Sequence, residues 1–154
     1  MSEFQFFFEL TYQKTPPAVE CRLNGITMNI INDILIERIE NFEKRKITCH
    51  GEDLKKNNIL ELLTTFDESN NYIDFIDIKE IIIDGHYMEM TMNHSSNFFP
   101  TISKEYIKKT LKERTKTKRD IEYFLKKTKI ESNGVWQFKF FTPLWEFVTL
   151  NLNK

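Results

Sequence analysis

The stretch Phe4-Gln5-Phe6-Phe7-Phe8-Glu9-Leu10-Thr11-Tyr12 restricts the fold of this chain more than any other. Phe4, Phe6, Phe8, Leu10 and Tyr12 recur at every second position, which turns them to one side of an extended backbone. Gln5, Phe7 and Glu9 take the other side, so one face is expected to be buried and the other half-buried. Aromatic side chains suit a pleated surface, and such a strand needs a second apolar layer over it. Lys14-Thr15-Pro16-Pro17 ends the run, because two prolines cannot donate to a strand ladder.

The same period returns along the chain. Val19 to Leu23 alternates, Asn24-Gly25 follows, and Ile26 to Ile30 resumes; Asn-Gly between two such runs predicts a two-residue hairpin, since both residues tolerate positive φ. Phe75 to Ile83 is rich in isoleucine and ends at Asp84-Gly85, after which Tyr87, Glu89 and Thr91 alternate with Met88, Met90 and Met92, a second hairpin. Leu35, Ile39 and Phe42 would share a helical stripe, but Ile34 to Phe42 reads rather as a strand on its three isoleucines, and Ile47 to Cys49 as a short one. Val135 to Phe140 is another alternating strand, bent at Phe141-Thr142-Pro143-Leu144-Trp145, and Glu146 to Leu152 closes the chain as a strand or a short helix. Ile59, Leu62, Leu63 and Phe66 sit at helical spacing, and taken alone that segment predicts a helix.

Pro100 stops the sheet region. Ser103 can cap a helix starting near Lys104 with Tyr106, Ile107 and Leu111 on its apolar side, and Ile121, Phe124 and Leu125 restore an i, i+3, i+4 stripe. Strands followed by one helical region and a closing strand favour a mainly β chain, an antiparallel β-sandwich or jelly-roll, over a parallel sheet that alternates strand and helix. An α+β antiparallel sheet carrying helices is the alternative. The 154 residues suit a single domain spanning 1–154, with 103–131 a basic helical insertion. Fourteen Phe supply a large core, while four Gly and four Pro exclude collagen-like or linker-like architecture.

The net charge of −1 conceals an asymmetry: from Lys104 to Lys129 there are 11 basic and 4 acidic residues, or +7, leaving −8 for the remainder. Lys108, Lys109, Lys112, Arg114, Lys116, Lys118 and Arg119 form a candidate basic patch for an acidic partner or nucleic acid, with Tyr106 and Tyr123 available to stack on bases. The plainer reading is a solvated helical face, and the acidic remainder is unusual for a dedicated nucleic-acid protein.

Cys21, Cys49 and His50 with His86 or His94 hold the right atom types for zinc, yet no Cys-x-x-Cys or His-x-x-x-His spacing supports a site, and adjacent Cys49 and His50 point to opposite sides of a strand. Asp84 and His86 share a strand face and could orient a base, but no nucleophile motif accompanies them, and the turn explains Asp84-Gly85 without chemistry. No glycine-rich phosphate cradle is present. A non-enzymatic protein without cofactor or metal is expected. Trp136, Trp145, Tyr72 and Tyr87 are the aromatic residues able to offer flat platforms to a sugar, Trp136 and Trp145 foremost.

Three segments, Pro16 to Gly25, Ile76 to Gly85 and Gly134 to Trp145, carry a resemblance. The Asn24-Gly25 turn after a strand, the strand ending Ile83-Asp84-Gly85, and the Gly134-x-Trp136-x-Phe138 run reaching Pro143-x-Trp145 are similar to those of small jelly-roll proteins of tailed bacteriophages that look like carbohydrate-binding modules. The resemblance implies an antiparallel β-sandwich in which Ile59 to Phe66 is a strand. It also implies attachment to a protein or glycan surface, virion-associated or carbohydrate-binding-like, rather than turnover. The matched positions look like fold-makers, so no site residue carries over, and the basic region falls outside the pattern. The alternative function is an intracellular regulator or inhibitor whose basic segment grips nucleic acid or an acidic host protein. A short apolar stretch without a basic leader predicts no secretory signal, and no window suffices for a membrane span. The expected location is the host cytoplasm or the virion, with free Cys21 and Cys49 and with the oligomeric state left open.

Overall fold

The computed structural model describes residues 1–66, 74–88, 95–101 and 128–152, with Asn151 and Leu152 described by backbone only. The expected helices after Ser103 and around Phe124, the methionines at 90 and 92, and Tyr72 lie outside these residues. The chain is mainly β: two antiparallel sheets face each other across one apolar core, and a single helix is present among the described residues.

The first sheet holds six strands. β1 (Ser2–Thr11) lies at its centre, flanked by β5 (Phe42–Gly51) and β7 (Phe75–Ile83). β4 (Asn29–Ile39) pairs with the far side of β5. β8 (His86–Tyr87) and β10 (Lys129–Ile130) share the remaining edge of β7 at its two ends. The second sheet runs β3 (Ile26–Thr27), β2 (Ala18–Leu23), β6 (Asn57–Thr65), β11 (Gly134–Phe141), β9 (Ser96–Pro100).

β1 follows the alternation of its sequence: Phe4, Phe6, Phe8 and Leu10 are buried while Gln5, Phe7 and Glu9 are half-buried. Facing them, Trp136, Phe138 and Phe140 line the inner side of β11, and the Phe4 and Phe140 rings meet edge to face with centroids 6.5 Å apart. Gly134 lets β9 approach β11, since a Cβ there would lie 2.6 Å from the Phe99 carbonyl oxygen.

Both predicted turns form, but the strand expected from Ile26 to Ile30 is divided: only Ile26–Thr27 returns along β2, and Asn29 and Ile30 already belong to β4 of the other sheet. Asn24 and Gly25 stand at φ 50° and 83°, Asp84 and Gly85 at 47° and 82°, the paired positive values of a type I′ turn. Among the described residues the Asp84-Gly85 hairpin returns through His86–Tyr87 as strand, and 89–92 lie outside them. The reading of Ile34 to Phe42 as one strand is corrected by a turn at Glu40-Asn41, where Glu40 takes φ 52°. The strand expected at Ile47 to Cys49 extends over the whole of β5.

Ile59 to Phe66 is not the helix its local spacing predicts. Residues 59–65 belong to β6, as the resemblance implies, with Leu60, Leu62 and Thr64 facing the core between β2 and β11. Two flanking ladders and burial of every second residue outweigh the helical spacing of a short apolar run. The boundary of the basic insertion also changes. Lys129–Ile130 is a strand on the edge of β7, with Ile130 buried, so this part of 103–131 belongs to the sheet. The closing segment is a helix, α1 (Leu144–Leu152), which packs Phe147 edge-on against Phe138 and Phe141.

Candidate functional site

The outer face of the second sheet carries a groove of about 560 Å³. Its floor is the end of the β6–β11 pair, where exposed Ile59 lies opposite exposed Lys139, and exposed Asn57 lies opposite Phe141, a half-buried ring held edge-on by Phe147. One wall is the segment between β5 and β6, fastened through a buried asparagine. Asn58 Oδ1 accepts the Lys55 backbone N–H at 2.8 Å, and its Nδ2 donates to the Lys55 carbonyl at 2.8 Å. The Asn24 side chain spans the other side, donating to Asn58 Oδ1 at 3.1 Å and accepting the Ile59 N–H at 2.8 Å. Thr142 adds a hydroxyl donor to the Lys55 carbonyl at 2.9 Å and a backbone N–H to that of Lys56 at 3.0 Å.

Asn24 and Asn58 therefore fix the backbone of the groove. Lys55, Lys139 and Asn57 line it as exposed or flexible side chains, and Phe141 as a ring held in place by Phe147. Neither Lys55 nor Lys139 has an ion-pair partner among the described residues. Two ammonium groups beside an apolar floor of Ile59 and Phe141 make a surface that favours an anionic ligand with a nonpolar face. Sequence reading missed this site. Its residues come from three distant segments, and the only local signal was Asn24, understood as a turn residue.

The two tryptophans part company. Trp136 is completely buried, stacked on Phe138 with centroids 6.0 Å apart, which corrects its reading as a platform: an inner position on β11 leaves no ring face for a ligand. Trp145, on the first turn of α1, is 63% exposed. Tyr87 is exposed as well. The basic patch, Lys108, Lys109, Lys112, Arg114, Lys116, Lys118 and Arg119, lies outside the described residues, as do Tyr106 and Tyr123.

Asp84 and His86 do not form an acid–imidazole couple. The Asp84 carboxylate accepts the Glu3 backbone N–H at 2.8 Å, and His86 Nδ1 stands 3.2 Å from the Asp84 main-chain oxygen. The pair closes a hairpin. Cys49 is buried on the inner side of β5, whereas the adjacent His50 faces outward with Nε2 3.8 Å from Glu3, as alternation requires. Cys21 meets Cys49 from the opposite sheet, and a hydrogen bond with Cys49, reinforced by burial, holds the Cys21 thiol well above its ordinary pKa. Such a thiol is a packing group rather than a nucleophile.

Charged side chains gather round buried Glu43 beside β4. The Tyr12 hydroxyl donates to Glu43, whose carboxylate lies 3.7 Å from Arg38 Nε and 3.5 Å from Arg45 Nη1. The hydrogen bond to Glu43, with burial second, raises the Tyr12 pKa. No helix among the described residues is long and apolar enough to cross a membrane. No protein-family model, curated protein or solved structure matches the chain.

Proposed function

We propose that this chain is a non-enzymatic binding protein that attaches to a surface, and that the groove of the second sheet receives an anionic glycan. The observation that carries this is the pairing of Lys55 and Lys139, both without an ion-pair partner among the described residues, over the apolar floor of Ile59 and Phe141. Carboxylate or sulfate groups of a sugar would meet the ammonium groups, and the CH face of the ring would rest on the floor. The exposed side-chain amide of Asn57 supplies donors and an acceptor for hydroxyls. The resemblance to phage jelly-roll modules supports attachment as the role, with the virion as its setting.

A glycan array holding neutral and anionic members tests the reading. Binding is expected to the anionic set, to weaken with salt, and to fall at least tenfold in a Lys55→Ala/Lys139→Ala double variant. A blank array, or binding indifferent to both lysines, overturns it. Mass spectrometry of purified virions tests the setting separately.

A further inference from the structure

β4 differs from every other long strand here: all eleven of its residues are exposed. Six of them are large and apolar, Ile30, Ile31, Ile34, Leu35, Ile36 and Ile39, at 43 to 58% exposure. The strand pairs on one side with β5, and its other edge has no neighbour among the described residues. Proteins normally blunt such an edge with outward charge, proline or twist. β4 has no proline and no lysine. Its three charges are drawn back toward β5: Asp33 lies 3.4 Å from Arg45, Glu37 3.5 Å from Lys44, and Arg38 3.7 Å from Glu43. The edge is thereby electrically quiet as well as apolar.

The order of residues on this edge is also self-complementary. β4 skips Ile36 against β5, so Asp33, Leu35 and Arg38 share one face of the sheet and Asn32, Ile34, Glu37 and Ile39 the other. An antiparallel copy that keeps the same skip, set about a two-fold axis through Leu35, brings Leu35 opposite its own copy, Ile34 opposite Glu37 and Asn32 opposite Ile39. Asp33 then falls opposite Arg38, a pair of opposite charge on one face. Half-exposed side chains at six positions amount to on the order of 500 Å² of exposed apolar surface per copy, of which edge-to-edge addition covers a part, so the contact is that of a weak, concentration-dependent dimer.

We propose that β4 is a self-association edge: a second copy of this chain adds its own β4 antiparallel to it, and the first sheets of the two copies become one continuous sheet. The groove lies on the other sheet, so the proposal is independent of the glycan reading and would give a two-copy assembly with two grooves.

Sedimentation velocity of the full chain from low to high micromolar concentration is expected to show a dimer. Replacing Leu35→Lys and Ile36→Lys together should raise its dissociation constant at least tenfold, with the near-ultraviolet circular dichroism unchanged. A wild-type chain that stays monomeric, or a dimer indifferent to this double change, overturns the proposal. A second measurement does not depend on how the lysine variant folds. Because Cys21 and Cys49 are buried, a Leu35→Cys variant presents one accessible thiol, which lies on the axis and should cross-link two copies under mild oxidation. Asn29→Cys should not, since its two copies would stand about 40 Å apart along the strands. Cross-linking at 29 without cross-linking at 35 also overturns the arrangement.

Discussion

β1 and β4 belong to the same sheet, have nearly the same length, and are both rich in large apolar side chains, yet their surroundings are opposite. β1 lies between β5 and β7, and the second sheet covers its even-numbered residues. β4 stands one strand beyond β5, at an edge that no strand covers among the described residues, and all of its residues are exposed. The difference teaches that apolar content does not decide burial here; place in the strand order does. In β1 every even position from Phe4 to Leu10 is large and apolar because it must fill the covered side, while the half-covered side takes Gln5, Phe7 and Glu9. In β4, Ile30-Ile31 and Ile34-Leu35-Ile36 stand together, because no core selects one parity over the other.

The sharpest way to break this contrast is to empty the covered layer. Phe138→Ala should cost about 3–5 kcal/mol, because its ring stacks on Trp136 and Phe140 in a closed core; urea unfolding followed by tryptophan fluorescence measures it. Gly134→Ala attacks the spacing of two strands instead. Its Cβ would meet the Phe99 carbonyl at 2.6 Å and Pro100 Cα at 2.8 Å, so a loss of about 1–3 kcal/mol or more is expected from the same melts.

Tyr12→Phe probes the boundary between covered β1 and exposed β4. Removing the hydroxyl takes a donor from buried Glu43 and should cost roughly 1–3 kcal/mol. The change also has a pH signature. The folded-state pKa of Tyr12 is raised, so its contribution is fully present below about pH 10, the unfolded value, and is lost as pH rises through the folded one. Stability curves of wild type and Tyr12→Phe should therefore converge in strong alkali. Leu35→Ser on β4 should change unfolding of the separated chain by only about 0.5 kcal/mol, measured at high dilution; a loss comparable to Phe138→Ala would erase the contrast.

The period-two runs made the strands legible, and Asn24-Gly25 and Asp84-Gly85 made two of the turns legible. The Glu40-Asn41 turn was hidden because glutamate is an uncommon choice for positive φ. Ile59 to Phe66 misled locally, since Leu62 and Leu63 serve a helical stripe on paper while only Leu62 reaches the core. The candidate groove was illegible for a different reason. Lys55 and Lys139 are 84 positions apart, and only the β6–β11 register and the Asn58 clamp bring their backbones to one place. Trp136 and Trp145 carried equal promise as residues, and nothing short of knowing which side of β11 faces inward separates them.

The position of β1 has a consequence for how the chain is made. This strand, with four of the phenylalanines, leaves the ribosome before either neighbour: β5 follows some thirty residues later and β7 more than sixty. Until Ile83 has emerged, this phenylalanine-rich strand has at least one bare flank, at synthesis rates of roughly 5–20 residues per second. Nascent chains halted upstream of β7 should accordingly be strong clients of chaperones that hold extended apolar segments, and those halted beyond it weak ones.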